Sequence, residues 1–373
     1  MQLRKDQISQ LITESTGKLR ATVYLPTHPD NSPANLSQDK VLFKNAIQAL
    51  RRHDAYDARE LDDTLKRLDL ELYDDPEFWK HLDYGLAIMI SGAGYQFFRL
   101  PFRVTEQLFV SDEFVISPLI IMAGANTNYY LVDINLTKPR LLFGSRGSFR
   151  EIVIDDMPGS IEETIGREEY RKHLQHQRSG VSNFHGHTEE DAILDDQQKY
   201  FRAIAQAVDD YLAKKSSDRP LILAGTTSRI GNFQKHLRYR HVIDSQLVGN
   251  FEDSSVKDIF NKSNPIADRY FQEQVDKSVE KLLSSAPEVV AIGEQEIIEV
   301  ARDNRVEALY IPIYQFNEAP SSSSEPSLTL ELPADIYDLE PMVTTVFKQN
   351  GQIIPVAIDR YDGLDQPKAL CRF

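Results

Sequence analysis

The chain has 373 residues and a mass of 42.6 kDa, which at roughly 100–200 residues per domain corresponds to two or three domains. Its composition is that of a globular protein, with 41% hydrophobic and 27% charged residues. The formal charge of −15 excludes a protein that coats nucleic acid with its whole surface, although a local basic cluster can still bind RNA.

Three further observations bear on location. The longest apolar runs are far shorter than the roughly 20 residues of a membrane helix, and no charged-then-apolar leader opens the chain. The single cysteine, Cys371, excludes an internal disulfide and a cysteine-rich zinc site. We therefore expect a cytoplasmic protein without membrane contact.

The first region, residues 1–117, has an α/β pattern. A helix is predicted at its start, and a strand is predicted over Ala21–Pro26. Apolar residues spaced i, i+3, i+4, i+7 predict an amphipathic helix through Phe43, Ala46, Ile47 and Leu50. A second helix is expected over Asp62–Leu72. Strands are expected over Gly85–Ile90, Gln96–Leu100 and Gln107–Val110.

The second region, residues 118–260, begins with two strands, Tyr129–Ile134 and Arg140–Gly144, whose short connection predicts a hairpin. A long polar stretch follows and ends in a helix. Its apolar residues repeat with helical period, namely Phe201, Ile204, Ala205, Val208, Tyr211 and Leu212. Pro220–Gly225 is a short apolar run bounded by Pro and Gly, which predicts a buried strand.

The third region, residues 261–373, begins with a predicted helix that carries Phe271, Val275, Val279, Leu282 and Leu283. A strand, a helix and a strand are then expected over Val289–Ile292, Gln295–Asp303 and Ala308–Ile313. Asn350-Gly351 lies between Thr344–Phe347 and Ile353–Ile358, and this pattern predicts a β-hairpin. The expected fold is mixed α/β in three domains with these boundaries.

The negative charge is unevenly distributed along the chain. The net charges of the three regions are −4, −2 and −9. The third region is therefore a poor candidate for contact with phosphates and a reasonable one for contact with a protein partner.

The most unusual stretch is Arg167–His187, which holds four of the nine histidines. Its last part is rich in glycine, serine and basic or aromatic residues, a composition typical of loops that bring backbone close to a ligand. An ordinary exposed loop with a chance enrichment in histidine is the alternative. The candidate RNA-binding residues are Arg178, Ser179, Gly180, Val181, Ser182, Asn183, Phe184, His185, Gly186 and His187, with Arg171 and Lys172 as further contacts.

The same stretch offers a second interpretation as a metal site. His173 and His176 are three residues apart, and His185 and His187 are two residues apart, with acidic residues next to them. Zinc sites use such ligands, but the sequence has none of the established zinc motifs. We therefore expect no metal, and a metal-dependent hydrolase stays open as an alternative of another class.

A second basic group lies between residues 229 and 241. Four of its cations are candidate RNA contacts, namely Arg229, Lys235, Arg238 and Arg240. The aromatic residues Phe233 and Tyr239 lie between them in the sequence and are candidate stacking partners. A solvated amphipathic helix followed by a strand explains the same residues without RNA.

Common catalytic motifs are absent from the sequence. It contains no Gly-x-x-x-x-Gly-Lys phosphate loop, no dinucleotide-binding glycine pattern after a strand and no Gly-x-Ser-x-Gly elbow. We therefore assign no catalytic residue and no cofactor, and we do not expect an enzyme.

Short segments along nearly the whole chain resemble a known family in their amino-acid sequences and in their order. They are Tyr24-Leu-Pro-Thr-His28, Phe78-Trp79, Gly85-Leu-Ala87, Ser117-Pro-Leu119, Tyr130-Leu-Val132, Arg140-Leu-Leu-Phe143, Met157-Pro-Gly-Ser160, Arg305-Val-Glu-Ala-Leu309 and Ala369-Leu-Cys-Arg-Phe373. In this order they resemble the bacterial relatives of archaeal and eukaryotic release factors, which include Pelota-like proteins.

The resemblance implies a ligand of the ribosomal A site. The first domain of such proteins reaches the decoding centre, and the middle domain reaches the peptidyl-transferase centre. The third contacts the ribosome and a translational GTPase, here elongation factor Tu. A hibernation factor that keeps the vacant ribosome inactive is the function that the resemblance favours.

Two departures from the family bear on the chemistry. Release factors cleave peptidyl-tRNA with a Gly-Gly-Gln loop before the long middle-domain helix, and this sequence contains no Gly-Gly-Gln. Arg178–His187 takes that place. The codon-reading Asn-Ile-Lys-Ser motif is also absent. A rescue factor that hydrolyses peptidyl-tRNA through His185 or His187 stays open as the alternative.

Overall fold

The computed structural model describes residues 5–13, 19–29, 32–124, 127–145, 148–166, 189–215, 217–317 and 328–372. Contacts within the chain define two compact units. The outer unit comprises Met1–Asn126 together with Val275–Phe373, and the middle unit comprises Thr127–Gln274. The expected mixed α/β fold is confirmed, because both units combine helices with sheets.

The strands of the described residues are numbered in chain order. They are β1 (Arg20–Pro26), β2 (Gly85–Ser91), β3 (Gly94–Leu100), β4 (Phe102–Arg103), β5 (Gln107–Ser111), β6 (Tyr129–Asp133), β7 (Arg140–Ser145), β8 (Ser148–Ile152), β9 (Leu221–Gly225), β10 (Leu247–Val248), β11 (Val290–Ile292), β12 (Val306–Asn317), β13 (Leu328–Glu331), β14 (Gln352–Ala357) and β15 (Lys368–Cys371).

The α-helices of the same residues are numbered likewise. They are α1 (Lys5–Thr13), α2 (Pro33–Arg52), α3 (Ala58–Leu68), α4 (Pro76–Trp79), α5 (Ser117–Gly124), α6 (Ile161–Ile165), α7 (Glu189–Lys214), α8 (Thr227–Gln234), α9 (Val256–Ser284), α10 (Glu294–Arg302) and α11 (Glu340–Lys348). A short π-helix, Asp69–Tyr73, continues α3.

The outer unit contains two sheets. One is four-stranded in the order β3-β2-β1-β5 and antiparallel throughout. The other has the order β11-β15-β12-β13-β4, with β14 parallel to β12. One apolar cluster contains residues from both ends of the chain, such as Tyr24, Phe98, Leu309 and Val343. The predicted first and third regions therefore share a core.

The middle unit is built on one five-stranded sheet of order β10-β9-β6-β7-β8. Strand β6 is parallel to β9 and antiparallel to β7, so the predicted hairpin is confirmed. Because side chains alternate between the faces of a strand, Tyr130 and Val132 pack with α7, whereas Leu131 packs with Ile259 of α9.

The three-domain division with boundaries at 117/118 and 260/261 stays a prediction. The first boundary falls at the start of α5, and the second falls inside α9. The contact-defined units instead divide the chain near residues 126 and 274.

The predicted hairpin around Asn350-Gly351 is wrong. Residues 344–347 belong to helix α11, and β14 pairs in parallel with β12. Asn350 adopts a left-handed φ of 59°, and the N–H of Gly351 donates to Val346 O at 3.0 Å. This pair ends a helix, a role that asparagine and glycine share with tight hairpin turns because both tolerate positive φ.

Candidate nucleic-acid interface

Helix α7 positions the candidate interface in the middle unit. Its apolar face buries Phe201, Ile204 and Val208 against the sheet. The buried Tyr200 hydroxyl donates to Asn135 O at 3.1 Å and fixes the helix to the end of β6. The helix begins at Glu189 and therefore follows residues 167–188 directly in the chain.

A buried ion pair holds the loop that receives Tyr200. Arg140 donates to Asp133 Oδ2 at 2.7 and 2.9 Å and to the carbonyl oxygens of Phe251 and Ser254. Asn135 donates to the same Asp133 oxygen at 3.1 Å. Burial raises the pKa of Asp133, and the Arg140 guanidinium lowers it. The network connects β6 and β7 to the segment that contains Phe251 and Ser254.

The polar face of α7 contacts the segment that follows α8. The backbone N–H groups of Arg238 and Tyr239 donate to the carboxylate of Asp209, and the Arg238 side chain donates to Gln206 Oε1 at 2.9 Å. Burial raises the pKa of Asp209, and the two N–H donors oppose this effect. The segment is thus held against α7, and the exposed Arg238 lies at its surface.

His236 contributes a polar imidazole to this surface. Its Nε2 lies 2.7 Å from Gln198 Oε1. Burial lowers the pKa of His236 first of all, and the charges of Arg202 and Lys235 lower it further. Arg202, four residues from both Gln198 and Gln206, therefore lies close to His236. We define the α7 basic surface as Gln198, Arg202, Gln206, Lys235, His236, Arg238 and Arg240.

The predicted cations differ in how they are engaged. Lys235, Arg238 and Arg240 are exposed, and Lys235 donates to the neutral Asn232 at 3.0 Å. Arg229 instead forms an ion pair with Glu252 at 3.0 Å, with both side chains only about a fifth to a quarter exposed. This ion pair connects Arg229 to the loop before α9. It therefore indicates a structural role for Arg229.

The predicted loop Arg178–His187, together with Arg171 and Lys172, lies outside the described residues. The four histidines of the metal interpretation lie outside them as well. Within the described part of the chain, no group of three or more His, Cys, Asp or Glu side chains is arranged to hold a metal ion. The same residues contain no helix that is long and apolar enough to cross a membrane.

Sequence reasoning missed Gln198, Arg202 and Gln206. They repeat every four residues on the face of α7 opposite to its buried residues, so helical spacing places them in one column. That spacing was a usable signal. The partner segment Lys235–Arg240 was recognised, but its position beside the column depends on the tertiary fold.

A comparison with known protein families supports the family resemblance that the sequence indicates for the middle region. Residues 129–269 match the sequence model of Bacterial archaeo-eukaryotic release factor family 7. The resemblance stated from the sequence is thus confirmed for this part of the chain, which contains the α7 basic surface. No curated protein sequence matches the chain.

Several solved structures are similar at low identity. The archaeal translation termination factor aRF1 has 13% identity over 100% of this chain and 99% of that one, with a TM-score of 0.26. Archaeal Pelota in a ribosome-bound assembly with ABCE1 has 14% identity over 75% and 72%, with a TM-score of 0.39. Pelota from Archaeoglobus fulgidus has 15% identity over 78% and 79%, with a TM-score of 0.28.

Proposed function

We propose that this protein binds the vacant A site of the ribosome in the cytoplasm and keeps the ribosome inactive. In both respects the proposed function resembles that of the bacterial hibernation factor Balon. The observation that carries the proposal is the α7 basic surface, which lies inside the stretch that matches the release-factor family and in a chain of net charge −15. Cations concentrated on one face of an acidic protein are the electrostatic footprint of local RNA binding.

The chemistry of the surface fits ribosomal RNA. Arg238 and Arg240 can contact phosphates with planar guanidinium groups, and Lys235 adds a point charge. Gln198 and Gln206 supply neutral amides for sugar or base edges. The loop Arg178–His187 enters the peptidyl-transferase centre in this proposal, because it precedes α7 at the place of Gly-Gly-Gln in release factors.

The proposed action is occupancy rather than catalysis. The sequence contains no Gly-Gly-Gln, which release factors use to position the hydrolytic water. The outer unit reaches the decoding centre through its N-terminal part. Its acidic C-terminal part contacts a protein partner, elongation factor Tu, because its net charge of −9 repels phosphates within a Debye length of about 8 Å.

Removal of three cations tests the RNA-binding surface. We expect K235Q/R238Q/R240Q to weaken binding to vacant ribosomes. The slope of log affinity against log salt should decrease by about two to three, since each lost phosphate contact removes roughly 0.7–0.9. The matched control K257Q/K262Q/R269Q removes three exposed cations from the same unit and should bind as the wild type does. Equal loss in both variants would contradict a local RNA surface.

A peptide-release assay separates occupancy from rescue. Purified protein mixed with ribosomes that carry peptidyl-tRNA should release no peptide above background. Release that disappears in His185→Ala or His187→Ala would replace the hibernation proposal with the rescue factor.

A further inference from the structure

A row of aromatic side chains crosses one face of the middle sheet and ends at its edge. Tyr130 of β6 is the direct cross-strand neighbour of Phe143 in β7, and Phe143 is that of Arg150 in β8. The ring centroids of Tyr130 lie 5.2 Å from Phe143 and 6.4 Å from Tyr211 of α7. Strand β8 is the edge strand, and Arg150 on it is exposed, whereas Tyr130 and Phe143 are buried.

Three cations lie along this row, Arg150 of β8 together with Lys215 and Arg219 of the connection between α7 and β9. Arg150 Cζ lies 5.5 Å from the centroid of the Phe143 ring, and Arg219 Cζ lies 5.4 Å from the same centroid. Lys215 Nζ lies 5.8 Å from the centroid of Tyr211. We call these residues the edge cation cluster. The charges of Arg150 and Arg219 also lower the pKa of Tyr211 against the larger raising effect of burial, which places both guanidinium groups near its ring.

In the part of the chain that the structure describes, no carboxylate forms an ion pair with the edge cation cluster. Among the described residues, none of the three side chains forms an ion pair or a side-chain hydrogen bond, unlike Arg140 and Arg229. Glu151, next to Arg150, lies 3.7 Å from Lys138, and the charges of Asp218 and Arg219 both act on the pKa of Tyr239, in opposite directions. Like charges gathered on one spot repel each other. An anion bound beside them would offset this repulsion.

We propose that Arg150, Lys215 and Arg219 bind a backbone phosphate of RNA, with Tyr211 beside it. This second RNA contact lies on the middle unit and rests on the proposed function. RNA fits better than a free phosphate, because Arg150 and Lys215 are exposed side chains that an extended strand can reach. Arginine forks and a lysine next to an aromatic ring are typical of single-stranded nucleic-acid contacts.

The test uses the full chain and a short fluorescein-labelled RNA hairpin of ribosomal sequence. We expect R150Q/K215Q/R219Q to raise the dissociation constant about tenfold and to lower the salt slope by about 0.7 to 0.9, the value for one phosphate contact. The charge-preserving variant R150K/K215R/R219K should retain most of the slope. K257Q/K262Q/R269Q is the matched control and should bind as the wild type does.

Three outcomes would overturn the proposal. Unchanged affinity and salt slope in R150Q/K215Q/R219Q would mean that the cations only cover the aromatic row. Competition by polyglutamate as strong as that by unlabelled RNA would assign the cluster to an acidic protein. Displacement of bound inorganic phosphate without any change in RNA affinity would assign it to the free ion. If the triple variant fails to fold, the single variants R150Q and R219Q are measured in the same way.

Ribosome sedimentation of the wild type, measured in parallel, separates this proposal from the function. Loss of hairpin binding in the variant, while the wild type fails to sediment with ribosomes, would support the cluster and contradict the ribosomal function. Sedimentation of wild type and variant with equal affinity and salt slope, and equal hairpin binding, would support the function and overturn the cluster.

Discussion

The backbone N–H of Ser117 donates a hydrogen bond of 2.6 Å to Glu340 Oε2, across 223 positions of the sequence. The N–H of Ile116 also donates to both carboxylate oxygens, at 3.0 and 2.9 Å. The carboxylate thus satisfies donors at the start of α5, where a helix favours negative charge. This contact ties the two ends of the chain together within the outer unit.

Replacement of Glu340 should weaken the attachment of the start of α5 to α11. Glu340→Ala leaves the N–H groups of Ile116 and Ser117 without their acceptor, at a cost of about 1 to 3 kcal/mol. Hydrogen exchange should show both amides losing protection, and the thermal midpoint of the outer unit should fall. Glu299→Ala, which removes an exposed carboxylate from α10, is the control. Equal protection in both variants would show that the carboxylate does not hold α5.

The lowered pKa of His236 predicts a pH dependence of stability. The folded chain binds fewer protons than the unfolded chain between the ordinary value of 6.5 and the lowered folded value. Stability should therefore be fully present above pH 6.5 and should decrease as the pH falls through this window. Denaturant unfolding of wild type and His236→Gln at several pH values measures the difference. A difference that stays constant with pH would contradict the lowered pKa of His236.

Replacement of two glycines of the middle unit by alanine should change the free energy of unfolding in opposite directions. A Cβ at Gly144 would lie 2.5 Å from the ring of its cross-strand neighbour Tyr129, so Gly144→Ala should cost about 1 to 3 kcal/mol. A Cβ at Gly231 in α8 would meet no atom within 4 Å. Gly231→Ala should therefore stabilise by about 0.5 to 1 kcal/mol. Thermal unfolding of the two variants measures both effects, and destabilisation by Gly231→Ala would contradict the open site.

Much of the fold was predictable where one side of an element is buried. The period of Phe201, Ile204 and Val208 predicted α7, and Pro220–Gly225 predicted β9. Helix α11 was misread as a strand because Val343, Thr344, Thr345 and Val346 are β-branched residues, which favour strands. Tertiary packing of its apolar face overrides that preference.

The site was predictable only in part. Lys235, Arg238 and Arg240 are close in sequence, so their clustering was visible before the structure. Arg150 and Arg219 are far apart in sequence and meet only because β6, β7, β8 and the start of β9 lie side by side. The pairing of Arg229 with Glu252 likewise depends on a tertiary contact.

Competition with A-site tRNA tests the central claim most directly. Purified protein is sedimented with vacant ribosomes and with ribosomes whose A site already holds tRNA. The proposed function predicts that the protein sediments with vacant ribosomes and stays in the supernatant when the A site is filled. Failure to sediment with vacant ribosomes, or equal binding to both, would contradict occupancy of the A site.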